Sequence, residues 1–299
     1  MVTYLDIQRL STEDGPGLRS TVFFKGCPLR CAWCHNPESL KFAPEVIRAE
    51  GRCIGCGLCA KVCGNGAQGA EIDRKACKGC LSCVGACPAG AMEAKGMQAS
   101  ETELCDELCL DKAYFGPDGG VTLSGGEALS QTEGAVKLLR LLKERGVHTA
   151  VDTCGEVPRE ALEKSLPYTD LYLFDIKLID SGAHKALTGA GNERILENAK
   201  KLVESGASIW VRTPLIPGAT DSEENIRAIG EFIKERMPDT ERWELCAFNN
   251  LGRDKYRRLG LDYAYMETPL YTKREIENIC KTARQAFHFA VCTGATRVE

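Results

Sequence analysis

The chain has 299 residues, with 38 lysines or arginines against 42 aspartates or glutamates, so a net charge of −4 offers no basic field for nucleic acid. Its composition, 43% hydrophobic and 27% charged, excludes a disordered chain, and its length suits one large domain or two smaller ones. No apolar run approaches the roughly 18 residues of a membrane span. Seventeen residues are cysteine, and residues 1–8 show neither a basic nor an apolar leader segment. The thiols are therefore expected to be metal ligands in a reducing cytoplasm, and their odd number argues against complete intrachain pairing.

In chain order, the first marked segment is Asp14-Gly15-Pro16-Gly17-Leu18-Arg19. A run of β-formers follows over residues 20–24, then Lys25-Gly26. Next come Cys27, Cys31 and Cys34, a C-x3-C-x2-C triplet with Trp33 and His35-Asn36-Pro37-Glu38-Ser39 around its end. Three thiolates on a four-iron cube leave one iron open to a non-protein ligand, which marks a reactive centre rather than an electron wire. Taken alone, the triplet also admits a structural zinc site.

Residues 49–96 are a different material. They hold 10 of the 30 glycines and no Phe, Trp or Tyr, too little apolar surface for a core of their own. Cys53, Cys56, Cys59 and Cys63 have the spacing C-x2-C-x2-C-x3-C, and Cys77, Cys80, Cys83 and Cys87 repeat it 24 residues later, followed by Pro88. This is the spacing of bacterial ferredoxins, in which three close-set thiolates hold one 4Fe–4S cube and the fourth is carried to the other. The expected partition is Cys53, Cys56, Cys59 and Cys87 on one cluster, and Cys77, Cys80, Cys83 and Cys63 on the other. Paired zinc sites, the alternative, usually separate two C-x2-C pairs by a longer spacer.

Beyond the insert, Cys105 and Cys109 stand at i and i+4 on an expected helix and are read as ordinary buried thiols. Strands are expected at 121–124, 147–153, 171–176, 208–213, 243–247 and 287–292. Helices are expected at 133–145, 192–204, 222–236 and 271–286, the first with Val136, Leu139 and Leu142 inward. Such alternation implies parallel strands with right-handed crossovers, in a doubly wound sheet or a barrel. Polar residues gather at the strand ends: Gly125-Gly126-Glu127, Asp152-Thr153, Asp175-Ile176-Lys177, Arg212 and Asn249. An acid ending an apolar strand is costly unless it is paired, caps a helix or meets a ligand. Cys154, Cys246, Cys280 and Cys292 are read as packing residues, and His148, His184 and His288 are given no role.

The Asp14–Arg19 run together with Cys27–Ser39 resembles the glycyl-radical-enzyme activating enzymes of the radical S-adenosylmethionine superfamily. The likeness covers essentially the whole chain and points to the subgroup with a two-cluster ferredoxin-like insert. It implies an α/β fold, a partial (β/α)6 TIM-like barrel over residues 1–48 and 97–299, with residues 49–96 inserted. It implies three 4Fe–4S clusters, one held by Cys27, Cys31 and Cys34 and completed by S-adenosylmethionine. Trp33, His35, Gly125, Gly126, Glu127, Asp175, Lys177, Arg212 and Asn249 would surround that cofactor. Asp152, Thr153 and Asp175 would hold a monovalent cation, and Asp14 would meet the partner's glycine loop. The sequence departs from the pattern at Ala128, usually Pro, and at Asn249, where many relatives have His. Asn can hydrogen-bond a ribose but cannot titrate near neutral pH.

The implied reaction is reductive cleavage of S-adenosylmethionine to a 5′-deoxyadenosyl radical, which takes hydrogen from a backbone glycine of a glycyl radical enzyme. The implied setting is the cytoplasm of an anaerobic bacterium, with flavodoxin or ferredoxin as electron donor and a monomer between encounters. The Cys246–Leu251 segment hints at a partner of the arylacetate decarboxylase type. One alternative is a radical S-adenosylmethionine enzyme acting on a small molecule or another peptide, which would not need the Asp14–Arg19 run. A second is a ferredoxin-like electron carrier, which would need the eight-cysteine insert but not Gly125–Glu127, Asp175 or Lys177.

Overall fold

In the computed structural model, which describes residues 1–298, strands β2 (Arg19–Phe24), β6 (Gly120–Gly125), β7 (His148–Thr153), β8 (Leu171–Asp175), β9 (Ile209–Leu215), β10 (Arg242–Ala247) and β11 (Ala290–Thr293) lie parallel, side by side. Beyond β2, strands β1 (Val2–Ser11) and β5 (Met97–Ala99) complete the sheet, with β1 antiparallel to both its neighbours. The order is β11-β10-β9-β8-β7-β6-β2-β1-β5. From β2 to β11 it never reverses, whereas a doubly wound sheet has a reversal point. Right-handed crossovers then put every connecting helix on one face. The two edges, β5 and β11, are not bonded to each other.

The helices are α1 (Leu58–Lys61), α2 (Ser82–Gly85), α3 (Glu101–Cys109), α4 (Thr132–Glu144), α5 (Arg159–Ser165), α6 (Ser181–Thr188), α7 (Glu193–Glu204), α8 (Glu223–Arg236), α9 (Arg253–Leu259) and α10 (Lys273–Ala286). α4 buries Ala135, Leu138, Leu139 and Leu142, an i, i+3, i+4, i+7 stripe. Val136, expected inward, is only half-buried. α7 buries Ile195, Ala199 and Leu202, and α8 buries Ile226, Ile229 and Ile233. These stripes share one core with Val121, Leu123, Val151, Phe174, Val211 and Leu245 of the sheet. Capping boxes start α3 (Ser100 with Glu103) and α10 (Thr272 with Glu275). The last strand begins later than expected, because residues 287–290 close a turn in which Ala290 N donates to the Phe287 carbonyl.

A second sheet pairs β3 (Glu45–Arg48) with β4 (Met92–Lys95) in antiparallel register. The expected boundary at residue 49 thus falls just after a strand that pairs with β4 and not with the main sheet. Between β3 and β4 the chain forms a 3-10 turn at Glu50–Arg52, the single turns α1 and α2, and loops. The core there is small: Val46, Met92 and Cys83, with Cys59, Cys87, Ile72, Leu81 and Val84 partly buried around them. It is fastened to α9, where Arg258 Nη2 meets Glu93 Oε2 at 2.8 Å and Arg74 Nη2 donates to the Arg258 carbonyl over 2.9 Å. Among the described residues no helix is long and apolar enough to cross a membrane.

A cysteine-lined cavity at the strand ends

A cavity of about 800 Å³ opens at the C-terminal ends of the parallel strands, and Cys27, Cys31 and Cys34 all line it. Their loop is pinned by backbone bonds: Gly26 N to the Ser39 carbonyl, Arg30 N to that of Thr188 and Ala32 N to that of Leu187, over 2.7, 2.6 and 3.0 Å. Burial pushes the Cys31 thiol up to about 11 and that of Cys34 to about 12. A hydrogen bond with Cys154 pulls Cys27 the other way, below the usual thiol value. Trp33 and His35 line the cavity too. His35 Nε2 lies 3.0 Å from the Asn249 carbonyl, and burial lowers its pKa, which keeps the ring neutral.

Gly125 and Gly126 line the cavity as well. Gly125 has φ +109, and a side chain at Gly126 would collide with the Gly26 carbonyl. Gly126 N donates to the Phe24 carbonyl (2.9 Å) and Glu127 N to that of Gly26 (2.8 Å). The glycines are thus required first by the close approach of the cysteine loop's own backbone.

Across the sheet, Asp175, Arg212 and Glu244 stand in register on β8, β9 and β10. Asp175 pairs with Lys177. Arg212 Nε lies 3.3 Å from Glu244 Oε2, and its Nη1 3.8 Å from Asp152 Oδ1. Asp152 also accepts from Ser124 Oγ over 2.6 Å. Burial, with Asp175 nearby and Arg212 opposing, pushes the Asp152 carboxyl up to about 6. Burial would deprotonate Lys177, but Asp175 first and then nearby thiols outweigh it and hold the ammonium. The wall therefore presents fixed cations beside carboxylates, in a cavity that the apolar Ile216 and Phe248 also line.

Two expected site residues do not line the cavity. The Glu127 carboxylate is fully buried and accepts from Thr153 Oγ1, Cys154 N and Leu129 N over 2.9, 2.8 and 3.1 Å. It ties the β6 and β7 ends together, and it turns the Thr153 hydroxyl away from the cavity that residue borders. Asp14 Oδ2 is held by Ser11 Oγ (2.6 Å) and Thr21 Oγ1 (2.8 Å), and Glu13 takes the place at the rim. Arg19 also turns inward, with Nε on Thr122 Oγ1 at 2.7 Å. Asn249 does line the cavity, and its Oδ1 accepts from Leu251 N over 3.2 Å.

Two thiols read as packing are on the cavity wall instead: Cys154 and Cys246, the latter 3.7 Å from Arg212 Nη2. The available signal was position. Cys154 follows Asp152-Thr153 at a strand end, and Cys246 is two residues beyond Glu244, on the same face of β10. Cys105 and Cys109 pack in the main core, as expected.

In the second unit, Cys53, Cys56, Cys59 and Cys87 surround one small hollow with Ile54, Ala89, Ala91 and Met92. Cys63, Cys77, Cys80 and Cys83 surround another with Asn65, Gln68, Lys78 and Ser82. All 17 cysteines are free thiols. Among the described residues no three His, Cys, Asp or Glu side chains are grouped so as to hold a single metal ion.

The radical SAM superfamily profile matches residues 21–228. The chain is 37% identical over 290 residues to the choline trimethylamine-lyase activating enzyme of Oleidesulfovibrio alaskensis, covering 92% of each chain. It is 39% identical over 274 residues to the indoleacetate decarboxylase activating enzyme of Tractidigestivibacter scatoligenes, covering 86% of each. In structure it is similar to a radical SAM methyltransferase from Sphaerobacter thermophilus, with a TM-score of 0.54 over 92% of this chain and 66% of that one, at 13% identity. The chain belongs to the radical SAM superfamily. Within it, this is an enzyme of the group that activates glycyl radical enzymes.

Proposed function

We propose that the chain installs a radical on a backbone glycine of its partner, working from the cavity at the strand ends. The observation that carries this is the sharing of one cavity by Cys27, Cys31 and Cys34 with Asp175, Lys177 and Arg212. The donor set fits: three thiols on one loop suit a 4Fe–4S cluster with an open iron, and fixed cations suit the carboxylate of S-adenosylmethionine. Bound there, the cluster would supply one electron to split the cofactor into methionine and a 5′-deoxyadenosyl radical, which takes hydrogen from the glycine Cα.

The chain's own part is positioning and exclusion of water. Lys177 and Arg212 orient the cofactor, and Asp175 holds Lys177 in place. Asp152 and Asp175, with the Thr153 backbone, are the candidate cage for a monovalent cation. Trp33, His35 and Asn249 form the wall beside the cysteine loop. The open edge between β11 and β5 leaves room for a partner's loop to enter, consistent with a partial (β/α)6 barrel. The Asp14–Arg19 segment stiffens that rim, with Glu13 rather than Asp14 reaching the cavity.

Residues 49–96 are read as a ferredoxin-like insert with two further 4Fe–4S clusters. Two hollows of four thiols each, divided as the spacing requires, support this. A flavodoxin or ferredoxin would supply the electrons. The enzyme would work in an anaerobic cytoplasm and be monomeric between encounters. Relatives that serve a choline lyase and an indoleacetate decarboxylase are almost equally similar to this chain, so overall identity does not select the partner. Nor does the Cys246–Leu251 segment, because Cys246 and Asn249 face the reaction space and not the partner's own substrate.

The test is co-expression with a candidate glycyl radical enzyme, sought first in the neighbouring reading frames. The reduced enzyme with S-adenosylmethionine should release 5′-deoxyadenosine and give the partner a glycyl radical signal by electron paramagnetic resonance. Replacing Cys27, Cys31 and Cys34 by Ala should abolish both. Continued 5′-deoxyadenosine release by the triple variant would place the chemistry elsewhere.

A further inference from the structure

The two halves of the insert repeat with an offset of 24 residues, and the backbone keeps the repeat closely. Gly55 and Gly79 have φ +69 and +66, Gly57 and Leu81 +69 and +63, and Gly66 and Gly90 +64 and +58. Ala67 N donates to Cys63 Sγ over 3.3 Å, and its counterpart Ala91 N donates to Cys87 Sγ over 3.2 Å. This backbone donor to sulfur is therefore matched between the two cages.

The side chains are not matched. Ile54 corresponds to Lys78, Leu58 to Ser82, Ala89 to Asn65 and Met92 to Gln68. Ile54, Ala89 and Met92 line the hollow of Cys53, Cys56, Cys59 and Cys87, whereas Lys78, Ser82, Asn65 and Gln68, beside the apolar Val46 and Leu81, line the other. Gln68 Nε2 lies 3.6 Å from Cys83 Sγ, and Ser82 Oγ lies 3.5 Å from Cys80 Sγ. Gln68 is 6% exposed and its Oε1 has no partner. Burying an amide whose one side-chain hydrogen bond goes to a thiol costs free energy, unless that sulfur carries negative charge. A cluster thiolate is such a sulfur.

We propose that the two cages hold clusters of unequal reduction potential, the one on Cys63, Cys77, Cys80 and Cys83 being the easier to reduce. This rests on the reading that both cages hold 4Fe–4S clusters. One electron added to a cube spreads negative charge onto its sulfurs. The Gln68 amide, the Ser82 hydroxyl and the Lys78 ammonium stabilise that charge, and Met92 and Ile54 do not. Solvent reaches both cages, at Cys53 and Cys56 on one and at Cys80 on the other, so exposure does not separate them in kind. The polar cage also packs on the segment that leads into β3 and on α9. Gly79 packs so closely on the Pro44 carbonyl that a side chain there would collide with it, and Arg74 donates to the Arg258 carbonyl. An electron delivered by a low-potential donor at the apolar cage would then run downhill to the polar one.

The experiment is a redox titration of the anaerobically reconstituted enzyme, followed by electron paramagnetic resonance, with iron counted on the same samples. About twelve irons per chain are expected from three cubes, and a plateau near four would remove the two-cage reading itself. With twelve present, the insert clusters should show two separate midpoints. Gln68→Met should lower only the higher one, and Met92→Gln should raise only the lower one. The cluster on Cys27, Cys31 and Cys34 should not move in either variant. Coincident midpoints in the unmodified enzyme would overturn the proposal. So would two exchanges that move neither midpoint, and Met92→Gln answers the question even if Gln68→Met loses iron.

Discussion

Burial keeps the Asp152 carboxyl protonated to about pH 6, with Arg212 opposing it and Asp175 adding to it. The folded chain thus binds more protons than the unfolded one between 3.8 and about 6. Ionising Asp152 costs stability as pH rises through that window, and the whole cost is present above it. A cation held by Asp152 and Asp175 would offset it. Added potassium or sodium should therefore raise the Tm of the reconstituted enzyme at about pH 7.5 and have little effect at about pH 5. Equal shifts at both would take these carboxylates out of the cation site. Glu127 makes the opposite kind of prediction. It accepts three hydrogen bonds inside the protein, so Glu127→Gln should lose about 2 kcal/mol of stability on denaturant unfolding. Weaker S-adenosylmethionine binding at unchanged stability would instead make it a cofactor contact.

At the scale of elements, the repeated loops of the insert offer a matched pair. Gly55 and Gly79 share a left-handed backbone, but a side chain at Gly55 meets open space and one at Gly79 meets the Pro44 carbonyl. Gly55→Ala should cost about 1–2 kcal/mol, the left-handed penalty alone. Gly79→Ala should cost several kcal/mol more and release iron from the cage of Cys77, Cys80 and Cys83 during denaturation. Equal losses would mean that the loop does not depend on its seat at Pro44. Leu81 shows that the conformation itself is demanded: it keeps φ +63 where its repeat mate is Gly57. Strand and helix positions in the main sheet were largely legible, because buried strands and amphipathic stripes leave strong periodic signals. β1 was not, since much of it is exposed or half-buried and lacks a clean alternation. The helices α5, α6 and α9 were missed because each is only seven or eight residues long.

For the whole molecule, the two units differ in what holds them. The main sheet has a continuous apolar core, whereas the insert has an apolar cluster of three buried members, Val46, Cys83 and Met92, with partly buried thiols around them. Its folding should therefore depend on iron. Limited proteolysis of the iron-free chain should cut within residues 49–91 and leave the main sheet intact, while the reconstituted enzyme resists. Iron-free protein uncut in that segment would show that the insert needs no clusters to fold.

Local spacing sufficed for much of the chemistry. Cys27, Cys31 and Cys34 lie within eight residues, and the eight insert cysteines within 35, so short-range geometry alone constrains which thiols meet. Acids and bases at strand ends were legible for the same reason, since a parallel sheet gathers those ends. What only the tertiary structure decided was direction. Glu127 and Asp14 have residue types that suit a site, yet both spend carboxylate oxygens on internal donors. Cys154 and Cys246 look like packing and yet face the cavity. Which way a side chain points depends on donors and cavities supplied by segments as much as 214 residues away, as with His35 and Asn249, and no local pattern encodes those.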